Sequence, residues 1–283
     1  MRMHWIITLS LLTSLSLASI PTVSAETNTI YSDYQQLLNR HLLKHEPDGG
    51  GLITAFDYDQ ALSDPQLQTL LSDQRNRLKS FDVSTLDSRE KAVAFWINAY
   101  NFFMLDHLLS DALDNGELVD SVRDYGHIFN PYRVFGRDLF DVGGRKYSLS
   151  EIEKEILLGD QFKQREWFDA RVHFAVNCAS VGCPPLRQNI YHSERIDQQL
   201  EDSTRRALAT DLHLRISGNT LYLSQLFDWY EDDYVIHSGS IEAFIEAHVD
   251  AATFEQVQAT SRTRDIRYDW DLNRPGNFAV DFE

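Results

Sequence analysis

His173, Cys178 and Cys183 fall within one short stretch, and the two thiols are the only cysteines of the 283-residue chain. A thiolate is the nucleophilic form of cysteine, and a neighbouring imidazolium or a helix N-terminus favours it. These three residues could therefore carry acyl transfer, with a sulfur attacking a carbonyl and His173 moving the proton. The stretch from Asp169 to Leu186 reads as a strand that runs into a small-residue turn. Val172, Phe174 and Val176 would face one side, and Arg171, His173, Ala175 and Asn177 the other. A strand with so apolar a face belongs inside a sheet. On an extended strand His173 and Cys178 point to opposite faces, so His173 with Cys183, carried back by the turn, is the less strained pair. Cys183 precedes Pro184 and could open a helix, although Pro185 pushes its neighbour away from the α region.

Two other chemistries fit the same residues. In an oxidising compartment Cys178 and Cys183 can form a disulfide that pins the turn, restricting the unfolded chain by roughly 2 kcal/mol. Metal ligation fits less well, because Cys-x4-Cys with one nearby His does not match the usual tight ligand spacings. No metal or cofactor is expected.

Asn98 and Asn101 sit three apart inside an apolar run and share a helix face. Buried amides must find partners, so they either tie neighbouring backbone or reach the site, orienting an imidazole or donating to an oxyanion. Trp96 and Tyr100 could wall the site or simply fill the core. Phe227-Asp-Trp-Tyr-Glu-Asp-Asp-Tyr234 is acidic enough to orient a histidine, but Glu231-Asp232-Asp233 reads first as a solvated helix start. Phosphate loops, Gly-x-Ser-x-Gly elbows and His-Glu-x2-His pairs are missing from the sequence.

The elements around these residues predict a helix-rich α+β domain. Tyr31, Tyr34, Leu37, Leu38 and Leu42 recur at helical spacing, with Gly49-Gly50-Gly51 expected to end that helix. A second helix is expected over 65–81 and a long central one over 88–113, apolar nearly all round and so buried on most faces. Gly143-Gly144 and Gly218-Asn219 each mark a hairpin. Ser148-Leu-Ser-Glu151 predicts a capping box opening a helix to Leu158, and Ser193 is expected to cap a helix reaching Ala209. Another helix is expected over 240–249. The closing segment 266–273 is too aromatic for a frayed tail and should dock back on the body.

Arg2 and His4, an apolar run from Trp5 to Ile20 and the small residues before Glu26 predict a secretory signal peptide over 1–25. That places a single domain over 26–283 in the periplasm or outside the cell. The net charge of −17 repels phosphate backbones, which argues against nucleic acid and anionic membranes as partners. The expected partner is a small molecule, a peptide or a component of the cell envelope, with no membrane span once the signal is removed.

Four motifs resemble those of the family known as domain of unknown function 547: Ala94-Phe-Trp-Ile-Asn-Ala-Tyr-Asn101, Ser148-Leu-Ser-Glu-Ile-Glu153, His173-Phe-Ala-Val-Asn-Cys178 with Cys183-Pro-Pro-Leu186, and Tyr268-Asp-Trp-Asp-Leu-Asn273. They occur in the family's order and span about residues 53–273. Lys154 stands where that family often carries histidine. The resemblance implies no activity. Relatives without an export signal would keep their thiols reduced, which favours chemistry over a staple.

The residues thus support two readings. One is a thiol-dependent hydrolase or acyl transferase using Cys183 or Cys178, His173, Asn98 and Asn101. The other is a non-catalytic periplasmic binding or scaffold module with Cys178 and Cys183 in a structural disulfide.

Overall fold

The computed structural model describes residues 30–110, 113–114, 117–126, 130 and 132–283. The segment read as a signal peptide, 1–25, lies outside the described residues.

A helix without a polar face has no side to offer water. The central helix of this chain, Arg89–Ser110, is buried from Ala92 to Leu109 with the exception of His107. A hydrophobic core is built around it. The N-terminal helix α1, Ser32–His41, sets Tyr31 against Phe95 and Tyr34 against Phe102, with centroids 5.6 and 5.8 Å apart. Strands β1, Leu42–His45, and β2, Ile53–Phe56, form an antiparallel hairpin. The short helix α2, Tyr58–Ser63, and then α3, Leu67–Lys79, lead into the central helix, α4. Strands β3, Leu113–Asp114, and β4, Glu117–Leu118, make a minimal hairpin after it. The next pair, β5, Phe140–Val142, and β6, Arg145–Tyr147, turns through Gly143-Gly144, stacks Phe140 on Phe103 and sets Tyr147 at a tilt against Trp96.

A second core forms around Phe174, Phe227, Tyr234 and Phe244. It lies beneath a three-stranded sheet of β7, Leu214–Ser217, β8, Thr220–Ser224, and β9, Arg262–Ile266. The first two pair antiparallel through Gly218, whose φ of +57° glycine adopts without cost. The third runs parallel to β8, which requires a crossover. Helices Leu226–Trp229, Glu231–Ser238, Ile241–His248 and Ala251–Gln258 supply it. The chain is therefore α+β and helix-rich, with small sheets around a long buried helix.

The hairpins, the central helix and the docking of the last segment follow the sequence expectations. Four others do not. The stretch 171–177 is no strand: Ala170–Phe174 is a single 3-10 turn, capped by Asp169, whose carboxylate accepts the Arg171 N–H at 3.0 Å. Its alternation misled because the segment is wedged between two cores. Val172 and Val176 enter the core of the central helix, and Phe174 enters the second core, so every side is buried. Residues Gly49 to Gly51 do not end α1, which stops at His41; they form the turn between β1 and β2. Ser193 does not cap the helix Ile196–Leu208, because a 3-10 turn, Ser193–Arg195, intervenes. Ser148 Oγ does accept the Glu151 N–H at 3.1 Å. Glu151 turns instead to Arg145, and the helix that follows, Glu151–Leu157, is a π-helix, a form often found at functional sites.

Candidate functional site

The turn that carries the thiols is built by side-chain amides. Asn177 Oδ1 accepts the Ala179 N–H at 2.8 Å, and Asn177 Nδ2 donates to Pro184 O at 2.7 Å, tying the two ends of the loop together. Between them Ala179 holds a φ of +62°, a left-handed conformation that costs a non-glycine residue about 1–2 kcal/mol. Such strain persists only where the surroundings over-determine it. The surroundings here are two. From the central helix, Asn101 Nδ2 donates to Ala175 O at 2.9 Å and Asn101 Oδ1 accepts the Asn177 N–H at 2.8 Å. From the closing segment, Val181 and Gly182 donate to Asp271 O and Asp269 O, and Asn273 N donates to Ala179 O.

Both cysteines are free thiols, so the structural disulfide of the second reading is corrected. Cys183 does not open a helix either. Cys183 Sγ accepts the Cys178 backbone N–H at 3.0 Å, and the Tyr268 hydroxyl lies 3.1 Å from Cys178 Sγ and 3.0 Å from Cys183 Sγ. The two sulfurs are thus held by polar contacts. They are not equivalent. The Cys183 contact, followed by hydrogen bonds from Tyr268 and Ser180, lowers the pKa of the Cys178 thiol against the opposing effect of burial. Burial pushes the Cys183 thiol up. Cys178 is also the more exposed of the pair, so it is the sulfur equipped to be a nucleophile.

Both thiols open into a pocket of about 500 Å³. Tyr100 reaches it from the central helix, Glu153 and Lys154 from the π-helix, His173 from the 3-10 turn, and Tyr268 and Trp270 from the closing segment. Four motifs distant in sequence converge there. Glu153 is buried, and its Oε1 accepts the Tyr230 hydroxyl at 3.1 Å. The Tyr230 ring stacks on His173 with centroids 4.0 Å apart. His173 Nε2 pairs with Asp233 Oδ2 at 2.9 Å, and Lys163 reaches Asp233 Oδ1 at 3.3 Å. Burial opposes ionisation of Asp233, but the His173 ring and the Lys163 ammonium outweigh it and hold the carboxyl below its usual range. Among the described residues no hydrogen bond joins His173 to either sulfur.

Tyr100 contributes a different property. Its hydroxyl has no hydrogen-bond partner among the described residues although the ring is almost wholly buried. Burial raises its pKa well above the tyrosine value, so the group stays protonated and is a ready donor. The described residues contain no cluster of three or more metal-binding side chains.

Asn98 and Asn101 are outside the pocket lining. Asn98 brackets Tyr191 as Asn101 brackets the stretch before Cys178: its Nδ2 donates to Tyr191 O at 2.8 Å, and its Oδ1 accepts the Tyr191 N–H at 2.9 Å. Trp96 is packed under Tyr147 and does not line the pocket. The sequence reading missed Glu153 and Tyr230. Glu153 was visible only as part of the motif Ser148–Glu153, whereas Asp233 belongs to the acidic run read as able to orient a histidine, and it is the member that does so while Glu231 and Asp232 are exposed.

No curated protein and no solved structure matches the chain. A family model covers the central helix, the π-helix and both thiols, while Tyr230, Asp233 and Tyr268 lie beyond its limits. Over residues 83–207 the chain matches the model of the family described as Protein of unknown function, DUF547.

Proposed function

We propose that the pocket is the active site of a thiol-dependent acyl-transfer enzyme, a hydrolase or a transferase, with Cys178 as its nucleophile. The observation that carries this reading is the half-buried Cys178 sulfur at a pocket wall, hydrogen-bonded by Tyr268 and Cys183 so that its thiolate is favoured. The sulfur attacks a carbonyl carbon, a C–S bond forms, and the bond to the leaving oxygen or nitrogen breaks as that atom takes up a proton. Water or a second nucleophile then attacks the thioester, the C–S bond breaks and the thiolate returns. Tyr100 is the donor available to a developing oxyanion, as a preorganised hydroxyl can be. Glu153 and His173 are the proton-carrying groups of the same pocket.

The dyad in this reading is looser than a bonded Cys–His pair, since His173 is held by Asp233 and Tyr230. That observation favours a second reading, a binding module without turnover. The Arg2-led apolar run supports an exported protein in either case, in the periplasm or outside the cell.

The test is trapping. Incubation with a p-nitrophenyl acyl ester should leave an acyl adduct on Cys178, located by peptide mass spectrometry and lost in Cys178→Ser. Labelling of Cys178 by iodoacetamide should also rise with a midpoint below the free thiol value of about 8.5. An unmodified Cys178 in the folded protein, with labelling only after denaturation, would overturn the catalytic reading.

A further inference from the structure

Among the described residues four large apolar side chains are strongly exposed: Tyr132 (46%), Trp229 (42%), Val235 and Ile236. The two aromatic ones both stand in the lining of the pocket that holds the thiols. They are not isolated rings. Trp229 meets Tyr268 with centroids 5.0 Å apart, Tyr268 meets Trp270 at 4.6 Å, and Trp270 meets Tyr132 at 5.1 Å. The result is a continuous aromatic wall from the surface to Tyr268, whose hydroxyl touches both sulfurs. Polar groups interrupt the wall: Ser150, the Glu153 carboxylate and the Lys154 ammonium line the same space. An exposed indole is costly to leave against water, and its place beside a nucleophile gives it an occupant.

The chemistry of the wall selects among ring-binding ligands. A quaternary ammonium or other cation would seek the electron-rich ring faces. Here the Arg123 guanidinium already lies 5.7 Å from the Tyr132 centroid and 6.0 Å from that of Trp270, and Lys154 adds a second positive charge at the pocket. Arg123 thus already stands at two of the four rings that a cationic ligand would seek, and Lys154 offsets the Glu153 carboxylate. An extended peptide would take its affinity from main-chain bonds to a strand edge, and none of the residues lining this pocket belongs to a strand. A pyranose ring fits both constraints. Its C–H faces carry slight positive charge and lie against aromatic faces, while its equatorial hydroxyls reach carboxylate, ammonium and hydroxyl groups at the ring edge.

We infer that the substrate is an acylated carbohydrate, whose sugar ring rests on Trp229 and Tyr132 and whose ester or amide carbonyl is delivered to Cys178. This rests on the acyl-transfer reading above and adds to it the identity of the part that is bound. The aromatic wall fixes the sugar, Tyr268 joins the wall to the thiols, and the acyl group is the part that reaches the sulfur.

The test uses isothermal titration calorimetry of the full chain with the trimer of N-acetylglucosamine, which carries both pyranose rings and acyl carbonyls. Choline and a proline-rich decapeptide serve as the competing classes. The trimer should bind, and Trp229→Ala and Tyr132→Ala should each weaken binding tenfold or more. Ile236→Ala, exposed but outside the pocket, should leave the affinity unchanged. Because both ring positions are exposed, their loss does not threaten the fold, and an unchanged circular-dichroism melt checks this. Binding of choline or the peptide in place of the trimer, or trimer binding indifferent to both alanine variants, would overturn the inference. The two readings fail separately: an acyl adduct on Cys178 without sugar binding removes only the carbohydrate, and sugar binding without an adduct removes only the thiol chemistry.

Discussion

Asn101 Oδ1 accepts the backbone N–H of Asn177 at 2.8 Å, so a residue of the central helix fixes the chain one position before the thiol Cys178. The second half of the same amide holds Ala175 O. Two backbone groups deep in the protein thus depend on one side chain, and an unsatisfied buried group costs about 1–3 kcal/mol. Asn101→Leu should lower stability by about that amount, read as a shift in the urea midpoint, and should also slow alkylation of Cys178. Asn98→Leu should destabilise similarly while leaving Cys178 reactivity intact, because Asn98 holds Tyr191 instead. Equal effects of the two variants on reactivity would contradict this division.

Tyr268 tests the polarisation of the thiol. Its hydroxyl is a cause of the lowered Cys178 pKa, second among the stabilising contacts to Cys183. Tyr268→Phe should move the midpoint of the pH–alkylation curve upward, because a hydrogen bond that favours the charged sulfur is lost. A midpoint that stays in place would show that Tyr268 does not polarise the thiol.

At Gly182 the thiol turn lies tight against the closing segment. A Cβ there would sit 2.9 Å from Asp269 N and 3.0 Å from the Tyr268 ring. The first of these is backbone and cannot swing away. Gly182→Ala should therefore destabilise by about 1–3 kcal/mol, as overpacking does, and displace Tyr268 from the sulfurs. Thermal melting reports the first effect and thiol reactivity the second. Wild-type values in both would mean that the segment yields without cost.

His213 is fully enclosed, and burial lowers its pKa from 6.5 to about 4. The unfolded chain takes up this proton near pH 6.5, whereas the folded chain does so only near 4. Between those values the unfolded state binds more protons, so stability falls as the pH drops through the window and levels off below it. The full contribution is on the order of 3 kcal/mol. His213→Leu should flatten the dependence of stability on pH between 6.5 and 4, measured by urea melts against the wild type. A slope identical in both proteins would remove the assignment.

Much of the fold was legible because its strongest patterns have one cause each. The central helix is apolar on every face and is buried on every face. Gly218 marks its hairpin through a positive φ. The Cys segment was misread because alternation has two causes: one buried strand face, or a short turn wedged between two cores that take Val172 and Phe174 separately. Local spacing cannot separate them. At the site, Cys178, Cys183, His173 and Tyr100 were named from residue type alone. The acidic run holding Asp233 was read as able to orient a histidine, but not which one, since the pairing with His173 spans 60 residues and only the packing of the second core brings them together.

The closing segment gives the site a place in time. Leu272 N donates to Asp120 O, Asn273 N to Ala179 O, and Tyr58 Oη to Asn273 Oδ1 at 2.7 Å, so the last motif to be synthesised is bonded to regions made long before it. Contacts of such sequence separation form late, after their loop-closure entropy has been met. Until residue 273 has arrived, Cys178 has neither Tyr268 beside it nor a brace on Ala179. A nascent or truncated chain therefore lacks the Tyr268 contact to both sulfurs, and the full chemical character of the pair is acquired only once residues 268–273 are in place.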